Sequence, residues 1–424
     1  MEEKIPEGYK QTEVGVIPED WEVKRLGTVA YFKNGKAHEN YISEDGNYIV
    51  VNSKFISSEG SVAKYSTRNF SPANDGDITL VMSDIPNGKA LAKCYLIRQN
   101  NRFAVNQRIC SLSAYGVDNT FLFYVLNRNS YFLQFDNGVS QTNLRKDEVL
   151  SCLLPVPPTA NEQTAIAKVL SDIDALIESL DKLIAKKKLI KKGAMQGLLT
   201  GKRRLPGFSG EWEVKKLGEI GRPYGGLSGK SKKDFESGKY PYIPFLNIMN
   251  NPVIDPEYFD FVNIHLGENQ NRAQKGDLFF NGSSETPEEI GMCSVLLDNI
   301  PDLYLNSFCF GFRLNKEVNA NGLYLSYFFR SNVGRKLIFF LAQGATRHNL
   351  SKNSFLTLEI PYPRPEEQTA IAQVLSDMDE EIEALEKKRD KYKMIKQGAM
   401  QLLLTGKVRL VKKAQETNEY SKTI

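Results

Sequence analysis

The chain has 424 residues, too many for one ordinary core, and its 55 Lys and Arg against 51 Asp and Glu leave a net charge of only +4. Any nucleic-acid surface must therefore come from local patches rather than from a polycationic whole. Hydrophobic content of 41% and aromatic content of 10% exclude a disordered or fibrous chain.

Residues 1–20 are polar and punctuated by Pro and Gly, with no apolar signal region, and lead into the heptapeptide Trp21 to Gly27, WEVKRLG. From Val29 to Val156 short strand patterns follow, at 48–53, 76–82, 94–97 and 108–114. They are separated by turn signals at Asn34-Gly35, Asp45-Gly46, Asp75-Gly76 and Asn87-Gly88. A helix is predicted from about Thr120 to Phe135, with Phe121, Tyr124, Val125, Phe132 and Phe135 on its apolar face. The strap LPVPPTANEQ then fixes where a long helix begins, because proline blocks continuation of a helix.

In that helix Ile166, Val169, Ile173, Leu176, Leu180, Leu183, Lys187, Ile190 and Ala194 recur at alternating steps of three and four, the seam of a coiled coil. Gly193 is expected to interrupt it and Gly201 to cap it, giving roughly 35 residues and about 50 Å.

The second half repeats the layout. WEVKKLG stands at Trp212 to Gly218, strand patterns occupy 242–248, 276–282 and 293–297, a helical stretch covers 323–331, and the strap IPYPRPEEQ follows. The segments 162–205 and 367–410 are identical at 30 of 44 positions, a duplication rather than a coincidence. Its second seam is Ile371, Val374, Met378, Glu381, Leu385, Lys388, Tyr392, Ile395 and Ala399, with Gly398 and Gly406 in the places of Gly193 and Gly201. Gly76-Asp77, Asn106, Gly138 and Asn143-Leu144 align with Gly276-Asp277, Asn306, Gly344 and Asn349-Leu350, although the globules otherwise diverge. The expected fold class is α+β with a pseudo-twofold internal repeat. The expected domains are a globule at 1–158, a long helix at 159–205, a second globule at 206–364, a second helix at 365–410 and a tail at 411–424.

The five cysteines, Cys94, Cys110, Cys152, Cys293 and Cys309, are odd in number and lack metal-ligand spacing, so they read as buried thiols. With no apolar run near the ~20 residues that span a bilayer, a reducing cytoplasm without membrane contact is expected. An amino-methyltransferase needs an Asn/Asp-Pro-Pro-aromatic motif and a Gly-rich cofactor loop, and neither occurs. GGLSGKS at 225–231 imitates a phosphate loop, but Tyr224 leaves the glycine spacing one short. Glu22-Val-Lys24 and Glu213-Val-Lys215 have the acid-x-Lys form of some metal nucleases, yet lie in the repeated entrance without an upstream acidic ligand. His38, His265 and His348 are too far apart in sequence to suggest a catalytic or metal constellation.

The order globule, helix, globule, helix, together with WEVKRLG, the opening EQ-x-A-I-A-x-V-L-S-D and the closing QGLLTGKxRL, resembles the specificity (S) subunit of Type I restriction-modification enzymes over essentially the whole chain. The resemblance implies two mixed globular target-recognition domains, each reading one half of a split site in double-stranded DNA. It implies that the two helices form an antiparallel coiled coil that sets the spacing and docks two methyltransferase subunits, with restriction/translocase subunits joining through that core. It implies no catalysis and no cofactor in this chain, S-adenosylmethionine, ATP and Mg belonging to the partners. The rival reading is a coiled-coil adaptor joining two protein-binding globules without DNA contact.

On that resemblance, DNA-reading side chains belong in loops rich in Arg, Lys, Asn, Gln, Ser and Thr. The candidates in the first globule are Lys36, His38, Ser83, Asn87, Lys89, Gln107, Arg108, Ser140, Gln141, Thr142, Asn143, Arg145 and Lys146. Those in the second are Lys230, Lys232, Lys233, Asn281, Ser283, Ser284, Thr346, Arg347, His348, Asn349 and Lys352. Solvated loops are the plain alternative, and Asn143 and Asn349, being shared, also suit a local cap. Leu198, Leu199, Leu403 and Leu404 either dock a partner or pack on the neighbouring globule.

Overall fold

The computed structural model describes residues 5–86, 88–344 and 347–410. They form two compact units, one drawn from Met1–Leu180 with Lys388–Ile424 and the other from Asp181–Lys387. The division falls inside both long helices, Ala160–Leu198 and Pro365–Leu403, each of 39 residues and so about 58 Å long.

In the first unit an antiparallel sheet runs in the order Cys94–Leu96, Ile78–Val81, Ile109–Ala114, Ala30–Asn34. A second sheet runs Tyr65–Ser66, Tyr48–Val51, Phe103–Val105, Pro72–Ala73, with a parallel pairing at its centre. Ile78–Val81 is buried on both faces: Ile78 and Leu80 enter the main core, whereas Val81 enters a second cluster with Val51, Phe55 and Val105. Its burial at every position, Thr79 included, follows from this double packing. The second unit repeats the plan, with the sheet order Gly221–Gly225, Cys309–Leu314, Leu278–Asn281, Cys293–Val295. Leu278 and Phe280 face its main core, and Phe279 packs with Ile243 and Leu305 in another cluster.

Each globule is closed where its entrance meets its exit. Glu22–Arg25 pairs antiparallel with Leu153–Val156, and Glu213–Lys216 with Glu359–Tyr362, so the proline strap is held as a strand before its helix starts. The helix predicted over 120–135 is in fact two, Asn119–Leu126 and Ser130–Leu133. The chain turns at Arg128, with φ of 59°, and the Asn129 side chain accepts from Tyr131 N to begin anew. Gly201 and Gly406 adopt φ of 69°, as helix-ending residues do. Gly193 and Gly398, by contrast, lie inside the helices.

The long helices bury a different frame from the one periodicity suggests. The positions turned away from solvent are 166, 170, 173, 177, 180, 184, 187, 191, 194 and 198, and 205 residues later 371, 375, 378, 382, 385, 389, 392, 396, 399 and 403. Of the predicted seam, Val169, Leu176 and Val374 are partly buried beside this frame, whereas further along each helix alternate predicted members fall one residue off it. Leu183 and Ile190 are exposed, as are Glu381, Lys388 and Ile395, while Ile184 and Ile382 are buried.

Ion pairs recur with the same shift. In the first unit Lys396 meets Asp174 at 2.6 Å, and Asp174 also accepts from Tyr124 Oη at 2.7 Å. In the second, Lys191 pairs with Asp379, which accepts from Tyr327 Oη at 2.8 Å. Arg204 grips the buried Glu367 at 2.5 and 2.6 Å beside Trp212, and Arg409 grips the buried Glu162 beside Trp21, with Asp20 as a further partner at 2.9 Å. Both arginine contacts are charge-assisted forks.

Candidate nucleic-acid interface

In the first unit the four segments that carry the candidates, 34–40, 83–89, 106–108 and 140–146, come together. Gly35 N donates to Ile109 O at 2.9 Å and Lys36 N to Val105 O at 3.0 Å, laying the 34–40 loop against the 106–108 turn. A Cβ on Gly35 would stand 1.9 Å from Asn106 O, so only glycine permits the approach. Asn106 Nδ2 donates to Glu39 at 3.0 Å, and this bond is the main cause holding the Glu39 carboxyl below its usual pKa.

The strand Ser83–Asp84 pairs antiparallel with Thr142–Asn143. Leu144 N donates to Met82 O at 2.8 Å and Met82 N to Arg108 O at 3.0 Å, so Arg108, Ser83, Gln141 and Asn143 share one patch. Gln141 Nε2 spans Ser83 Oγ at 2.7 Å and Asn143 Oδ1 at 3.2 Å. The Asp84 carboxylate accepts from Ile85, Ala90 and Leu91 N, which shapes the following loop.

The second unit builds the equivalent patch from the equivalent segments. Ser283–Ser284 pairs with His348–Leu350, which pairs in turn with Ala342–Gln343. Leu350 N donates to Gly282 O at 3.0 Å and Gly282 N to Phe308 O at 2.9 Å, matching Leu144, Met82 and Arg108 bond for bond. Arg347 Nε donates to Ser283 Oγ at 2.8 Å, where the first unit uses Gln141 on Ser83. A Cβ on Gly226 would stand 2.1 Å from Asn306 O, the counterpart of Gly35.

Several expected readers point elsewhere. His38 is fully buried, its Nε2 accepting from Phe70 N at 3.1 Å, so it ties the loop rather than facing out. Asn281 is likewise fully buried between Glu289 O and Met292 N. Lys230 keeps only 4% of its side chain exposed and spends its charge on Glu268 and Asn263 O. Ser83, Thr142 and Ser284 are buried in the short strands and act as the floor of the patches.

Among the rest, Lys36, Lys89, Gln107, Arg108, Ser140, Gln141, Asn143, Arg145, Lys146, Lys232, Lys233, Arg347, Asn349 and Lys352 are exposed, and Ser283 and His348 are half-buried. Arg145 bonds Glu148, and the Lys146 ammonium stands 5.8 Å from the Phe32 ring centre. Asn87 and Thr346 lie outside the described residues. Leu198 and Leu199 are buried in the second unit's core and Leu403 in the first's, with Leu404 partly buried against that core. Their side chains are thus internal, and the docking expectation gives way to packing.

Phe308 is apolar, and its residue type alone does not mark it as a reader. It is 54% exposed, and the Arg347 guanidinium carbon stands 5.2 Å from its ring centre. The signal available in the sequence was its alignment, two residues past Asn306, with Arg108 two residues past Asn106.

Duplicated mixed domains, each leading into a long helix and each carrying one loop patch, define a scaffold of two recognition modules. The chain belongs to the Type I restriction modification DNA specificity domain family, whose model matches residues 18–188 and 209–393, and it is a specificity (S) subunit. Two relatives from Methanocaldococcus jannaschii extend over nearly the full length. The Type I restriction enzyme MjaVIII specificity subunit is 27% identical, covering 95% of this chain and 96% of its own, and the putative MjaX specificity subunit is 26% identical, covering 95% and 97%. The fold is shared with the crystal structure of the S subunit of a Type I restriction-modification system from M. genitalium, at 17% identity and a TM-score of 0.57, covering 90% of this chain and 96% of that one. It is shared also with a chain from a study of complex assembly and conformational transition in the type I system, at 17% identity and a TM-score of 0.54, covering 92% and 99%. Among the described residues no helix is long and apolar enough to cross a membrane.

Proposed function

We propose that each unit reads one half of a bipartite site in double-stranded DNA through its loop patch, and that the chain carries no catalysis of its own. The observation that supports this most is the equivalence of the patches: the same backbone bond holds Arg108 in one unit and Phe308 in the other, and the equivalent serines, Ser83 and Ser283, accept from the side chains of Gln141 and Arg347 respectively. A common frame with different outward side chains is what two different half-sites require.

The two long helices run antiparallel as a coiled coil that fixes the separation of the readers. In support, Lys396–Asp174 and Lys191–Asp379 each join the late part of one helix to the early part of the other within a single unit. Two methyltransferase subunits dock on this rod and restriction/translocase subunits join through them, bringing S-adenosylmethionine, ATP and Mg to the cytoplasmic complex. Leu189 with Ile190, and Met394 with Ile395, are exposed at equivalent points of the two helices and supply an apolar face for the docking.

Mobility shift with duplex DNA, using the full chain with its methyltransferase partners, tests the proposal. Retardation that survives competition by random duplex is expected. No binding with or without partners contradicts DNA reading and favours a protein adaptor.

A further inference from the structure

We propose that Phe308 determines specificity in the second half-site by making apolar contact with the 5-methyl group of a thymine in the major groove. The inference rests on the DNA-reading proposal and deepens it to a residue and a base atom. Phe308 stands just before the strand Cys309–Leu314, whose Cys309 and Phe310 enter the apolar clusters on its two sides. Phe308 itself joins neither, and it remains more than half exposed, so packing in the core does not account for the residue type.

Its backbone is nonetheless fixed. Phe308 N donates to Asn306 Oδ1 at 2.9 Å, and its carbonyl accepts from Gly282 N at 2.9 Å. The ring is braced by the Arg347 guanidinium, which Ser283 holds in turn. A cation beside an exposed aromatic surface suits a polyanion that also offers an apolar group, and among the base edges of the major groove only thymine offers a methyl. In the first unit the corresponding place carries Arg108 with Gln141, a donor pair suited to guanine and adenine edges. One position thus exchanges polar for apolar, Arg108 for Phe308, inside one backbone frame.

The test begins by mapping the modified site in the host genome. The full chain with its methyltransferase partners is then titrated against duplexes of that site in which single thymines are replaced by deoxyuridine, which removes the methyl and keeps the base pair. One replacement, within one half-site, is expected to weaken binding about 3- to 10-fold. Phe308→Ala is expected to bind the thymine duplex that much more weakly, to lose discrimination at that position only, and to keep the response to changes in the other half-site. Phe308→Leu should retain part of the discrimination. A half-site pair without thymine, or full survival of every deoxyuridine effect in Phe308→Ala, overturns the inference while leaving DNA reading intact. A wild-type complex that binds no duplex overturns DNA reading itself, and the inference with it.

Discussion

Arg108 is exposed with its backbone fixed by Met82, and Gln141 bridges Ser83 and Asn143 beside it. Arg108→Ala should therefore relax specificity at one base pair of one half-site by about 1–3 kcal/mol without altering the other, as read by competition binding with single-pair variants of the site. Loss spread evenly over all sequences would instead mark Arg108 as a phosphate contact. Removing the Glu367 charge by Glu367→Gln breaks the fork with Arg204 and leaves that guanidinium poorly matched. Urea unfolding should report a loss of about 2 kcal/mol, and an unchanged midpoint would assign the fork no net stabilisation. All five thiols are free and buried, and burial pushes Cys110 and Cys152 up to about 12. They should resist a thiol reagent at pH 8 until guanidinium is added, whereas rapid labelling of the native chain would contradict their burial. Because folding raises these pKa values, the stability they contribute is complete below the ordinary thiol value near 9 and falls as pH rises from there toward 12. Which loop residues face outward was only partly legible in the sequence. His38, Asn281 and Lys230 are as polar as Lys36 or Lys352, but their partners, Phe70 N, Met292 N and Glu268, lie 25 or more residues away for the first and last and across a loop for the second.

At the scale of elements, Gly193 and Gly398 lie in helix interiors with no atom within 4 Å of where a Cβ would stand. Alanine at either site should raise stability by about 0.5–1 kcal/mol in thermal or urea unfolding, since glycine gives up the most backbone freedom in a helix. A destabilised Gly193→Ala would mean that this stretch needs to bend. The helices themselves were plain in the sequence, because a heptad pattern sustained over five turns or more has no other reading. Its frame was not plain. Val169-Leu170, Leu176-Ile177 and Leu183-Ile184 are adjacent apolar pairs, and periodicity alone does not choose between members. Lys191 and Lys396 decide the matter through Asp379 and Asp174, and those bonds join segments far apart in the chain. The break at Arg128 escaped for a related reason: the apolar face continues across it while the Asn129 cap restarts the helix.

At the scale of the whole molecule, the duplication carries the account. A repeat of 44 residues at a shift of 205 was visible without coordinates, and the same shift relates the buried helix positions and the ion pairs. If the helices act as a ruler, seven residues inserted at matching points of both should lengthen the rod by about 10 Å and widen the spacer by about three base pairs. An unchanged spacer with full activity would remove the ruler role. The most direct measurement exchanges residues 29–156 for the corresponding segment of a relative with a different target, and sequences the modified adenines in a host carrying the partner subunits. One half of the modified site should change while the other half and the spacer stay as they were; a change in both halves at once would contradict the modular reading.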